Sequence, residues 1–236
     1  GLPFTYHPDE HQYVDTAIAV LGGDLDPGRF NNPSLFKYAL AVVDGLWLVA
    51  SGASGGPASP AELAERVRSD PSGAYRLARG TVAVLGAATV LVVWALGRRV
   101  HDRRAAMAAA AIFAVAFLHV RESHFAVGDV PATLLATLAL LAGVRLLRGG
   151  TTRDYLVAGA WVGLAAGTKY TGALAAVSVG LAHVMAEDAP LAAMPRRLLD
   201  RRLWLAAAAA MVAFLAAVPY AAANWPAFSA DVALLA

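Results

Sequence analysis

YRLARGTVAVLGAATVLVVWAL, residues Tyr75–Leu96, decides the fold class. It is apolar over the roughly 20 residues that a helix needs to cross a bilayer. It ends at a burst of arginines: Arg98, Arg99, Arg103 and Arg104. Apolar spans delimited by arginine continue down the chain. Ala105–His119, extendable toward Phe125, reads as a second span, Val130–Leu147 as a third and Leu203–Tyr220 as the last. Tyr155–Leu181 is too long for one simple crossing and breaks at Lys169-Tyr170-Thr171-Gly172. The composition agrees. The chain is 58% hydrophobic and 15% charged, with mean hydropathy +0.56, where a soluble domain is about one quarter charged. The predicted fold class is therefore all-α, a polytopic transmembrane helical bundle.

Charge and residue usage exclude several functions. Net charge is +2, too small for a nucleic-acid footprint. There is no cysteine, hence no disulfide and no Cys-based zinc site. The histidines do not have metalloprotease spacing. The arginines fall in three bursts: Arg98 to Arg104; Arg145, Arg148 and Arg153; and Arg196, Arg197, Arg201 and Arg202. With a turn at Lys169, all three share one side, and the positive-inside rule makes it cytoplasmic. The expected location is the plasma membrane, with residues 75–236 as the bundle and 1–74 as its first outer loop. Gly1 in place of Met and the ending Ala233-Leu234-Leu235-Ala236 suggest a piece of a longer protein.

In the first loop, Asp9–Leu21 reads as an amphipathic helix. Val14, Ile18 and Leu21 form its apolar stripe, and Gly22-Gly23 its stop. Asp24–Asn32 reads as a polar loop. Ser34–Ala50 is apolar but carries Lys37 and Asp44, and is expected to lie in the interface. If it crossed instead, Asp9 and Asp129 would be separated by the membrane. Ser51–Gly73 is a connector with one short helix, marked by Ser59, Pro60 and Glu62 at capping spacing. Trp47, Trp94, Trp161, Trp204 and Trp225 suit belt or packing positions, and Asn224-Trp225-Pro226 opens another outer loop.

Two acid-bearing stretches fall on the outer side: Tyr6-His7-Pro8-Asp9-Glu10 and Arg121-Glu122-Ser123-His124-Phe125-Ala126-Val127-Gly128-Asp129. Ionisable residues near lipid tend to mark function. Each has a plain alternative. Asp9 and Glu10 also suit a helix dipole, Asp129 an N-cap, and Arg121–Glu122 a surface ion pair. Jointly, Asp9 and Asp129 are two carboxylates at the mouth of one bundle, an arrangement for removing a hydroxyl proton. Lys169 interrupts an apolar stretch and suits either a phosphate or a bundle carboxylate. Arg79 and Lys37 are weaker phosphate candidates, and interfacial anchoring is their plainer role.

Phe4-Thr5-Tyr6-His7-Pro8-Asp9-Glu10, Tyr13, Gly23-Asp24 and Asn32-Pro33-Ser34-Leu35 with Tyr38 resemble the first outer loop of GT-C membrane glycosyltransferases, in the protein O-mannosyltransferase-like branch (glycosyltransferase family 39). Ser123-His124 with Asp129-Val130-Pro131 resembles its second outer-loop motif, and Gly163-Leu164-Ala165 with Lys169-Tyr170 its later glycine-and-lysine segment. The resemblance implies transfer of a sugar, with inversion, from a polyprenyl-phosphate carrier to a hydroxyl of protein, lipid or glycan on the outer face. It implies Asp9 as general base with Glu10 beside it, and Asp129 as the second-loop acid. His7, Tyr13, Glu122, His124, Lys169, Tyr170, Arg79 and Lys37 are the expected substrate-binding set. Relatives that transfer aminoarabinose to lipid A carry a lysine beside the loop proline, where this chain has Asn32. Some GT-C enzymes need a divalent metal, which Asp9 and Asp129 could hold, and others need none. The reading from another class is a transporter or channel subunit, for which Lys169 in its glycine-flanked break is the one supporting feature.

Overall fold

The computed structural model describes residues 2, 7–52, 54–186 and 194–234. Phe4, Thr5 and Tyr6 of the first motif, and the final Leu235-Ala236, lie outside the described residues. Every regular element among those described is helical. The chain builds α1 (Glu10–Leu21), α2 (Leu35–Gly52), α3 (Pro60–Ser69), α4 (Ser72–Val100), α5 (Arg103–Ala114), α6 (Phe117–Glu122) and α7 (Asp129–Leu147). It continues with α8 (Thr152–Thr168), a 3-10 turn (Tyr170–Leu174), α9 (Ala175–Val184), α10 (Met194–Arg197), α11 (Arg201–Ala217), α12 (Tyr220–Ala223) and α13 (Trp225–Ala233). By length and apolarity α2, α4 and α7 are each sufficient to cross a membrane.

The expected spans recur as helices, the second with a break that the sequence did not announce. The span expected over Ala105–His119 is two helices, because the backbone turns extended at Ala116. His119 then stacks on Phe113 with centroids 4.2 Å apart, and its Nε2 reaches the Gly86 carbonyl at 3.2 Å. The long segment breaks at Lys169 as expected, since Lys169 itself is extended and ends α8. Residues 225–233, where Asn224-Trp225-Pro226 was expected to open another outer loop, form a helix with Pro226 in its first turn.

α8 and α11 approach closely because glycine faces alanine along their contact. A Cβ on Gly159 would stand 2.0 Å from the Ala206 carbonyl oxygen, and one on Gly163 2.1 Å from that of Ala210. Gly167 meets Ala217 in the same way. Small residues every fourth position let two backbones pack without side chains between them.

Contacts between elements sort the chain's charges. Arg148 donates to the Arg99 carbonyl, Arg202 to that of Gly150, and Arg197 to those of His183 and Val184. All three arginine bursts thus meet at one end of the bundle. Asp9, Glu10, Asp129 and Lys169 stand at the other, the acidic end.

α1 and α2 run side by side in the same direction. Tyr13 meets Phe36 with centroids 5.5 Å apart, and Leu21 packs toward Gly45. Near its start α2 contributes Leu35 to the core of Phe30, Ala217 and Val218 at the end of α11. Near its finish Trp47 and Leu48 join the core that includes Leu63, Ala74 and Tyr75 at the start of α4. Both ends of α2 therefore touch the acidic end, and the helix lies across it. Its buried face holds Lys37 and Asp44, whereas Val42, Leu46 and Val49 are exposed. A helix that turns apolar residues outward suits a lipid-facing position.

The α8–α11 contact gives a direct stability test. Gly163→Leu forces the two backbones apart, and overpacking of about 3 kcal/mol lowers Tm by roughly 10 °C for a chain of this size. Gly180→Ala, where a Cβ meets nothing within 4 Å, leaves Tm within a degree or two on the usual scale for neutral sites. Thermal unfolding of the detergent-solubilised protein measures both.

Candidate functional site at the acidic end

α1 starts at Asp9, which occupies its N-cap without using its side chain as a cap. Among the described residues no hydrogen bond or ion pair occupies the Asp9 carboxylate; its backbone N–H donates to His7 Nδ1 at 3.2 Å. His7 stacks on Phe125, centroids 5.3 Å apart. His7 thus braces the entry into α1 against the second outer stretch.

Glu10 points the other way and is fully buried. Arg79 grips it with a two-pronged ion pair, Nε to Oε1 and Nη2 to Oε2, both 2.7 Å. The Ala126 backbone N–H donates to the same Oε1 at 2.8 Å. Two expected site residues are thus partners of each other. Glu10 is no free carboxylate beside Asp9, because both its oxygens are occupied. Arg79 is committed to Glu10, and its side chain is only 19% exposed.

Asp129 is the first residue of α7, with Gly128 at the N-cap position. Its carboxylate does not cap the helix. It pairs with Lys169 at 2.5 Å, both side chains a little over one third exposed. The expected phosphate contact and the expected second acid are therefore partners of each other.

Tyr13 links the two acids. Its ring is buried, and burial pushes its phenol well above the ordinary tyrosine range. A backbone hydrogen bond from Gly128 opposes the shift, while the charges of Asp129 and Asp9 add to it. Both carboxylates thus act on one phenol. A Cβ on Gly128 would stand 2.8 Å from the Tyr13 hydroxyl and 3.1 Å from the Thr168 carbonyl oxygen. Gly128 is where α1, the start of α7 and the end of α8 converge, a role that its place in the sequence did not announce.

The remaining candidates separate. Lys37 is buried and donates to the carbonyls of Arg29 and Asn32, each at 3.0 Å, so it staples its own loop rather than facing a phosphate. Tyr170 donates to the Phe30 carbonyl at 2.6 Å. Asp231 accepts from the Phe30 N–H, and Asn224 donates to Asp26. These bonds fix the first loop onto α13 and the α8–α9 break, and no motif flagged Asp231 or Asn224. Glu122 turns inward, buried, and meets Arg121 at 3.0 Å. His124 is exposed. It lies with Arg79 and Ser123 on a groove of about 750 Å³ between α4 and α6. Gly80, Ala83, Gly86 and Ala87 give that groove a wall of small residues.

Asp9 and Asp129 are the expected pair for a metal. Among the described residues no three His, Asp or Glu side chains stand together as a metal site. Asp129 is moreover engaged by Lys169.

A helical bundle with an apolar exterior, arginines at one end and carboxylates at the other defines a membrane glycosyltransferase of the GT-C type once joined to the family comparison. Residues 74–220 match the family of dolichyl-phosphate-mannose-protein mannosyltransferases, and the chain belongs to it. No curated protein and no solved structure matches the chain. The match covers the bundle, Asp129 and Lys169; Asp9 lies outside it.

The Glu10–Arg79 pair yields a prediction. Removing one partner of a buried ion pair costs about 3–5 kcal/mol, so Glu10→Ala and Arg79→Ala each destabilise the protein to that extent. The double variant loses clearly less than their sum, the signature of direct coupling. Unfolding measurements on the three variants complete the cycle, and additive losses would contradict the clasp.

Proposed function

We propose that the protein transfers a sugar from a polyprenyl-phosphate carrier to a hydroxyl on the outer face of the plasma membrane, with Asp9 as general base. The observation that carries this reading is that the first loop and the start of α7 meet at one end of the bundle: Glu10, next to Asp9, accepts from the Ala126 N–H, and the Tyr13 hydroxyl lies against Gly128, next to Asp129. Asp9 does not spend its carboxylate on capping α1, and we take it as the group that receives the substrate proton.

In this reaction the acceptor oxygen attacks C1 of the sugar from the face opposite the phosphate. The C1–O bond to phosphate breaks, the configuration at C1 inverts, and the acceptor proton passes to the Asp9 carboxylate. The departing lipid phosphate needs positive charge rather than a strong acid. Lys169, held by Asp129 and still over one third exposed, is the nearest cation to that task. Asp129 keeps the lysine aimed. Holding donor and acceptor together supplies much of the rate. The groove between α4 and α6 is a berth for an isoprenoid chain, with Arg79, Ser123 and His124 at its outer lip. No step in this reading requires a metal. The family match favours the transferase over the transporter reading, whose one feature was Lys169 in its glycine-flanked break.

Asp9→Asn lowers transfer by a factor of 10² to 10⁴, the usual contribution of a general base, while binding of the polyprenyl-phosphate sugar persists. Normal turnover in that variant would remove Asp9 from the mechanism. Lys169→Ala weakens donor binding about tenfold, on the scale of one charge-assisted hydrogen bond; unchanged binding of the polyprenyl phosphate would contradict its role.

A further inference from the structure

At the arginine end, α8, α9 and α11 enclose two hollows in succession. The outermost, of about 120 Å³, is lined by Tyr155 of α8, His183 of α9 and Arg202 of α11, and Arg197, Asp200 and the Gly149-Gly150 turn complete it. The next, of about 90 Å³, is apolar, with Gly159 of α8, Val179 and Gly180 of α9 and Ala206 of α11 on its walls. Gly159 lies four residues after Tyr155, Val179 four before His183 and Ala206 four after Arg202. Each helix therefore lines both hollows with one face, and one turn, about 6 Å, separates them. The outer hollow is cationic. Arg197 donates through Nη1 to the carbonyls of His183 and Val184 at 2.9 and 2.8 Å, and Arg202 through Nη1 to that of Gly150 at 3.2 Å. Carbonyl oxygens thus hold both guanidiniums in place without cancelling their charge. A guanidinium carries five N–H donors in a fork that matches phosphate. Asp200 also lines the hollow, and its carboxylate caps α11 by accepting from the Arg202 backbone N–H at 2.8 Å. Buried His183 braces the wall, with Nδ1 2.6 Å from the Tyr155 hydroxyl and Nε2 2.9 Å from the Arg197 carbonyl.

We propose that the two hollows together seat one anionic phospholipid of the leaflet at the arginine end, with its phosphate between Arg197 and Arg202 and part of an acyl chain in the apolar hollow. The proposal needs only that the bundle crosses the membrane, and it does not rest on sugar transfer. The outer hollow has the volume of about four waters, room for a tetrahedral phosphate group. Basic pockets between spans bind lipid headgroups in this way. The apolar hollow favours a lipid over a free anion, because it continues from the cationic one along the same three helix faces, as a tail continues from a head. The surroundings set the depth. Met185, Leu199 and Trp204 are exposed next to residues of the outer hollow, and the Trp204 indole donates to the Leu198 carbonyl at 3.1 Å. A tryptophan with its ring outward and its N–H satisfied suits the boundary between headgroups and chains.

The test is native mass spectrometry of the full-length protein in detergent, with phosphatidylglycerol and phosphatidylcholine of matched chains added together. Wild type is expected to retain one phosphatidylglycerol with a preference of about tenfold or more, the scale of one charge-assisted hydrogen bond. Arg202→Gln is expected to bring the preference to about one, and Arg202→Lys to keep part of it. Arg153→Gln, at an exposed arginine of the same end outside both hollows, is expected to leave it unchanged. Gly180→Leu places a side chain in the apolar hollow, where a Cβ meets nothing within 4 Å. It is expected to lower retention of phosphatidylglycerol about tenfold, the worth of about two buried methylenes, without touching an arginine. Millimolar inorganic phosphate is expected not to displace the lipid. Equal retention of both lipids by wild type, or an equal loss in Arg153→Gln and Arg202→Gln, would overturn the proposal. Displacement by inorganic phosphate, or unchanged retention in Gly180→Leu, would overturn it too, and would assign the cationic hollow to a free anion.

Discussion

The buried grip of Arg79 on Glu10 is the constraint on which the site depends. Glu10 lies in the first loop, Arg79 in α4, and the Ala126 N–H that completes the arrangement in the turn before α7. A fully buried carboxylate is tolerable only when its charge is matched and its oxygens are hydrogen-bonded. Meeting that demand forces three distant segments to one point. Asp9, one residue before Glu10, is then delivered to the acidic end, and Asp129, three residues after Ala126, is delivered beside it.

Around that point the bundle supplies rigidity. Glycine against alanine brings α8 and α11 into close contact, and the end of α8 hands Lys169 to Asp129. A second set of bonds, from Tyr170, Asp231 and Asn224, fixes the far side of the first loop. The loop is thus secured at both flanks, with α1 between them. Its inner side faces the ion pairs and Tyr13, and its outer side remains open to solvent.

Much of this was legible in the sequence, for identifiable reasons. Apolar length marks spans, and Tyr75–Leu96 needs no neighbour to be recognised. The break at Lys169 was legible because a cation followed by Gly172 interrupts an apolar run. The break at Ala116 was not, since nothing in Ala114-Val115-Ala116 disfavours a helix; the contacts of His119 with Phe113 and Gly86 set it. Asp9 and Asp129 stood out by motif and by position between spans. Their roles relative to neighbours did not, because periodicity assigns a face and not a partner. Glu10 and Arg79 are 69 positions apart, and Lys169 and Asp129 are 40. Lys37 misled for a related reason: its type suited phosphate, but its burial and two carbonyl acceptors make it a loop staple.

The central claim is geometric: Asp9 and Asp129 share one end of one bundle and one side of the membrane. The chain contains no cysteine, so paired Asp9→Cys and Asp129→Cys substitutions report cleanly. The account predicts that both thiols react with a membrane-impermeant maleimide from the same side, and that a short bifunctional maleimide joins them within one chain. Reaction of the two thiols from opposite sides of the membrane would contradict it.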